Sequence, residues 1–191
     1  MRFKSWRNFI LTELTLACWD YDRAIPIFDG SVKLGGFDLR CHIEPPGTLF
    51  PLSVTKAPFD ITELSFASYL IQLSRDESPY VGLPIYLSRA FRHGAIYIRK
   101  ASGIKCPKDL EGCVVGVPEY AMTLAVWVRG ILSDDYGVDT DKLKYRTGGL
   151  NEPGRTERLN LNIPSHIELQ ELGSSISLNE AILSISSKIK L

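Results

Sequence analysis

Apolar positions along the chain fall into short blocks separated by polar turns, and the period inside the blocks changes repeatedly. Residues 14–19 (LTLACW) form a compact apolar run that predicts a strand; the polar turn DYDR follows, then AIPIFDGSV, where Pro26 suits the first turn of a short helix. Residues 37–44 read FDLRCHIE, apolar at Phe37, Leu39, Cys41 and Ile43 with polar residues between, which predicts a strand with one wet face. TLFPLSVTK is a weak helical piece interrupted by Pro51. Residues 59–64 predict a third strand, and Ser65 is placed to cap a helix over 66–73. Residues 81–87, broken by Pro84, and the alternating residues 95–100 predict two more strands. Residues 113–117 form a buried strand stopped by Pro118, and a helix is expected over about 124–132. Residues 143–147 and 166–172 predict short strands on either side of GGLNEPGRTERLNLN, a loop too polar to be core, and residues 178–185 a terminal helix.

Strands alternating with helices over the whole length indicate an α/β class with mostly parallel pairing, in which ligands collect at the carboxyl ends of strands. Each polar cluster lies at such an end: residues 20–23, 63–65 and 119–123. The densest stretch is 91–129. Arg92 and His93 precede its alternating strand, and Glu119, Tyr120 and Thr123 lead into a helix carrying Trp127 and Arg129. A strand that hands over to a helix through a polar turn presents free backbone N–H groups at the helix start, which suit a carboxylate or phosphate. An anion site is expected there.

Lys+Arg and Asp+Glu both number 22, so the formal charge is zero. That argues against a nucleic-acid partner held by phosphate neutralisation and makes any anion site local. The 45% apolar and 23% charged composition of the 191 residues is ordinary for a globular chain. The opening MRFKSWRNFILTEL is basic, but its apolar run at 9–11 is shorter than the roughly 7 to 15 residues of a secretory core. No window approaches the roughly 18 apolar residues of a membrane helix, so no membrane partner and a cytoplasmic location are expected. Cys18, Cys41, Cys106 and Cys113 form no C-x-x-C pair and read as free thiols. Without a metal-binding motif or dinucleotide fingerprint, neither metal nor cofactor is expected.

At WDYDR, FDITELSFASYL, FRHGAIYIRK and DLEGCVVGVPEYAMTLAVWVRGIL the chain resembles the 4,5-dihydroxyphthalate decarboxylases. The resemblance implies a two-lobed fold like that of the type 2 periplasmic binding proteins, with the substrate in the cleft. It implies a first lobe over 1–92, a hinge crossing over 93–104 and a second lobe from 105 to 191. The family's chains are longer, so it also implies a C-terminally incomplete second lobe and open faces that favour a homo-oligomer. The implied reaction is a carboxy-lyase step, 4,5-dihydroxyphthalate to 3,4-dihydroxybenzoate and carbon dioxide. A small-anion binding protein of the same fold and an inactive fragment of the enzyme are the alternatives; the short apolar run at the start favours the enzyme, since an importer's receptor is exported.

The ring carbon that loses carbon dioxide is para to a hydroxyl, so protonating it gives a dienone that expels carbon dioxide as the ring rearomatises. His93, with Arg92 beside it, is the candidate catalytic acid; the plainer use of such a histidine is a backbone hydrogen bond near a hinge. Arg23, Arg92 and Arg129 are candidates to clamp the two carboxylates, because a guanidinium meets a carboxylate bidentately. Each is more often a solvated surface arginine. Ser65, Glu119, Tyr120 and Thr123 complete the expected substrate site at the helix starts. Asp20 could orient the substrate hydroxyls, although turn formation is the commoner use of an aspartate there.

Overall fold

The computed structural model describes residues 11–184. The basic opening residues and the last residue expected in the terminal helix, Ile185, lie outside the described residues. Among the described residues all strand pairs are parallel, and they form two separate three-stranded sheets.

The first sheet has the order β2-β1-β3, with β1 (Thr12–Cys18) between β2 (Phe37–Ile43) and β3 (Ile61–Thr62). β1 and β2 run in register from Thr12 opposite Phe37 to Cys18 opposite Ile43. The central strand buries Ala17 and Cys18, and burial with the nearby Glu63 carboxylate pushes the Cys18 thiol up to about 11, leaving it an inert packing group. The short helix α1 (Ile25–Phe28) and α2 (Pro46–Lys56) follow the first two strands. Pro46 opens α2 where its missing N–H is not needed, Leu49, Ser53 and Val54 are buried, and Ala57 ends it in the left-handed region at φ 45°. Ser53 meets Thr62 hydroxyl to hydroxyl at 2.9 Å, tying α2 to β3. β3 pairs over only two residues; beyond it the Asp60 carboxylate accepts from the Thr15 N–H at 2.8 Å and hydroxyl at 2.6 Å, replacing ladder bonds with a side-chain clip.

The second sheet has the order β4-β5-β6, from β4 (Val114–Val117), β5 (Lys144–Thr147) and β6 (Glu168–Glu171). α3 (Phe66–Ser74) packs against α4 (Thr123–Asp134), the helix that joins β4 to β5. Leu110, Leu132, Val138, Leu143 and Tyr145 form the buried core of this part. α5 (Leu178–Ser184) starts at a reciprocal cap that the S-x-x-E spacing encodes: Ser177 N–H donates to Glu180 at 2.8 Å, and Glu180 N–H donates back to the Ser177 hydroxyl at 3.2 Å.

Two compact units result. The first is the segment ending at Leu64 together with Pro79–Ser88, and the second is Ser65–Ser78 together with the chain from Arg89 onward. In this division α3 groups with the second unit, because it packs on α4. Two expected strands are absent. Residues 81–87 and 95–100 carry no ladder; a 3-10 turn spans His93–Ala95, and Val81 and Tyr97 are 89% and 76% exposed. Alternation alone does not make a strand when no neighbouring strand is there to take its N–H and C=O groups.

Candidate anion site at the start of α4

In a parallel sheet all carboxyl ends share one edge, and in the second unit that edge is Val117, Thr147 and Glu171, held in register. The turn 118–122 rises from it into α4. Val126 N–H makes the first helical bond, to the Met122 carbonyl, so the amides ahead of it point out of the helix end. The start of α3 meets the start of α4. Ser65 and Thr123 lie hydroxyl to hydroxyl at 3.0 Å, and Thr123 Oγ1 accepts the Ala67 N–H at 3.1 Å. Thr123 thus caps the neighbouring helix rather than its own, and the positive ends of two helix dipoles come together. Whichever hydroxyl donates within the pair, one hydroxyl hydrogen is left over.

Glu119 is 3% exposed, and its Oε1 accepts from Arg155 Nε at 2.8 Å, Arg155 Nη2 at 2.5 Å and Arg158 Nη2 at 2.9 Å. Glu157 reaches the turn itself: its carboxylate accepts from the Tyr120 N–H through Oε1, and its Oε2 lies 3.4 Å from the Ala121 nitrogen. Two guanidiniums and two carboxylates give a balanced, partly buried quartet around the buried Glu119, the form in which buried charge is tolerated. Burial, followed by the nearby Glu119 and Glu171 charges, raises the Glu157 carboxyl above its ordinary value although the two amides pull the other way. Arg158 is lowered, chiefly by burial.

Aromatic and cationic packing fixes the turn from below. Arg129 donates to the Tyr120 carbonyl at 2.9 Å and holds its guanidinium 3.9 Å from the centre of the Tyr120 ring. The Tyr120 ring meets Tyr145 edge-on at 4.9 Å. Tyr145 and Thr147 are two apart on β5 and so share a face of the sheet, the face on which Tyr120 packs. Thr147 is 1% exposed, and its hydroxyl has no hydrogen-bond partner in the structure. The charged segment arrives through a backbone turn that only glycine permits at 149, where a Cβ would collide with the Glu152 carbonyl oxygen.

The structure therefore brings together Ser65, Glu119, Tyr120, Thr123 and Arg129 from the expected site, with Arg129 acting through Tyr120. It does not bring Arg92 and His93 to them. His93 Nε2 lies 3.6 Å from Asp135 at the far end of α4, and a helix of 12 residues is about 18 Å long. His93 instead borders a mainly apolar groove of about 270 Å³ that Ile131 and Tyr136 also line. Asp20 and Arg23 belong to the first unit. Asp20 is exposed with no partner among the described residues, and Arg23 donates to the Leu87 carbonyl and stacks 5.2 Å from the Tyr21 ring centre. Tyr21 in turn donates to Glu63 at 2.7 Å, and burial with that bond pushes its hydroxyl up to about 12. Arg155, Glu157 and Arg158 were not anticipated. Their signal was present, as alternating charges in R-T-E-R within a glycine-rich loop, but a polar loop reads as solvated until the fold folds it back. Among the described residues no cluster of His, Cys, Asp and Glu is arranged to hold a metal ion.

No protein-family model matches the chain. It is 39% identical over 157 residues to a 4,5-dihydroxyphthalate decarboxylase of Comamonas testosteroni, a match that covers 82% of this chain and 48% of that protein. It is 36% identical over 171 residues to a 4,5-dihydroxyphthalate decarboxylase of Pseudomonas putida, covering 90% of this chain and 66% of that one. The chain thus spans about half to two thirds of the length of these relatives. By that similarity it belongs to the 4,5-dihydroxyphthalate decarboxylase family.

Proposed function

We propose that the chain serves the non-oxidative decarboxylation of an aromatic ortho-dicarboxylate, 4,5-dihydroxyphthalate to 3,4-dihydroxybenzoate and carbon dioxide, and that its second unit supplies the carboxylate-binding part of the site. The observation that carries this reading is a carboxylate already seated on the Tyr120 and Ala121 amides beside two half-buried arginines, in a chain whose relatives bear that enzyme's name. The anion-binding amides and arginines fix one carboxylate, and the ring carbon bearing the other is protonated. The electron pair of the breaking carbon–carbon bond returns to the ring as carbon dioxide leaves, and the delivered proton stays on the carbon.

A two-lobed periplasmic-binding-protein-like fold is part of the same reading, supported by two compact units that each hold a parallel three-stranded sheet. A cytoplasmic site of action is supported by four free cysteines, and by the absence of any helix among the described residues that is long and apolar enough to cross a membrane. A homo-oligomer is supported by large exposed apolar residues such as Phe91 at 96% and Val81 at 89%.

The test is incubation of the purified chain with 4,5-dihydroxyphthalate, following carbon dioxide and 3,4-dihydroxybenzoate. Stoichiometric release of both supports the enzyme, whereas saturable binding without release counts against it and assigns the chain to anion capture. His93 and the Tyr120 amides are too far apart for one aromatic ring to touch both in this conformation. His93→Gln is therefore expected to leave binding of the dicarboxylate unchanged; if the variant loses about 100-fold in turnover while binding is kept, the proton comes from the groove by His93 and the ring lies there.

A further inference from the structure

We propose that the Tyr120 and Ala121 amides form a carboxylate-exchange seat, in which Glu157 is the resident occupant and a carboxylate of an incoming aromatic acid is the alternative one. The inference deepens the binding half of the proposed function and rests on it for the class of ligand. Three observations support it. Glu157 makes the contacts that a ligand carboxylate would make, to the two outward-pointing amides of the turn. Its departure leaves Arg155 and Arg158 facing Glu119 alone, so an arriving carboxylate restores the charge balance that Glu157 provides, and the exchange is nearly neutral. At the carboxyl end of β5, opposite Val117 on the edge from which the turn rises, the buried Thr147 hydroxyl has no hydrogen-bond partner. It stands on the face that carries Tyr120 and supplies the donor that a ligand carboxylate takes up and that Glu157 does not use.

Exchange also makes binding depend on pH in a definite sense. The charged groups that act on Glu157 are Glu119 and Glu171, which disfavour its ionised form, and Arg158, which favours it, while Arg155 is paired with Glu119. Protonation of Glu157 weakens its hold on the amides, so a ligand that remains ionised gains affinity as pH falls through the raised Glu157 value.

The experiment is calorimetry of the full chain with phthalate, which lacks the ring hydroxyls, so that affinity is read apart from turnover. Glu157→Ala is expected to bind about tenfold or more tighter than the parent, because the competitor is removed, and Glu157→Gln to gain by a smaller factor. Thr147→Val in the Glu157→Ala background should weaken binding by about fivefold. Far-UV circular dichroism establishes that each variant is folded. Unchanged or weaker affinity in folded Glu157→Ala and Glu157→Gln overturns the proposal, as does absence of phthalate binding in all of them. Tighter binding in Glu157→Ala with no carbon dioxide released from 4,5-dihydroxyphthalate would sink the decarboxylase reading and leave the exchange seat standing. Release of carbon dioxide by the parent, with phthalate affinity unmoved by either substitution, would do the reverse.

Discussion

Thr147 illustrates how a binding site costs stability one side chain at a time. Its hydroxyl is buried and has no partner, a condition that costs about 1–3 kcal/mol. Thr147→Val should therefore raise unfolding free energy by as much as that range in chemical denaturation, while the variant binds phthalate less well. A loss of stability would mean that the hydroxyl has a partner when folded. Arg129 has the opposite character, since its guanidinium is spent on holding Tyr120 by carbonyl and ring. Lysine cannot stack and donate in that geometry, so Arg129→Lys should cost about 0.5–2 kcal/mol and loosen the turn, read as faster amide exchange at Tyr120 and Ala121. At this scale the sequence made half the site legible. Ser65, Glu119, Tyr120, Thr123 and Arg129 lie where a strand gives way to a helix, and that handover is visible as a change of period. Arg155, Glu157 and Arg158 come from a loop, whose destination is set by the backbone at Gly149 and not by any local period.

Elements were legible where their own residues decide them. β1 and α4 follow from an apolar run and from a helical stretch behind Pro118. Residues 95–100 alternate as well as β2 does, yet only β2 has a strand beside it. Pairing is a property of two segments, and a one-segment pattern cannot report it. The Asp60 clip between β1 and β3 makes a prediction at this scale. The Thr15 hydroxyl and N–H hold the Asp60 carboxyl below its usual value. A depressed carboxyl contributes stability above its unfolded-chain value and loses it as pH falls through the native one. Melting temperatures of Asp60→Asn should thus lie below the parent's at neutral pH and converge with them in acid; a constant gap at all pH values would count against the clip. Glu157 has the opposite sign. Its value is raised, so its contribution is present at low pH and is lost as pH climbs through that value.

At the scale of the molecule, the segment 81–100, which carries no ladder, also holds the most exposed apolar side chains among the described residues. Phe91 is 96% exposed, Val81 89% and Tyr97 76%. A folded chain with such a surface should brighten a hydrophobic dye without denaturant, and Phe91→Ser with Tyr97→Ser should dim that signal while circular dichroism stays unchanged. A dye signal that persists in the double variant would place the apolar surface elsewhere.

The chain moves between its units after Leu64, after Ser78 and after Ser88, and this ordering constrains how the protein can be made. As it leaves the ribosome, the first unit is still missing residues 79–88 when α3 emerges, and α3 emerges well before the helix it packs against. Vectorial synthesis therefore cannot complete the first unit before committing a foreign helix to solvent, and α3 waits through more than forty residues for α4. Cutting the gene at residue 64 or at residue 92 would separate partners in both cases. The piece ending at 64 lacks part of its own unit, and the piece ending at 92 carries a helix whose packing surface lies on the discarded side.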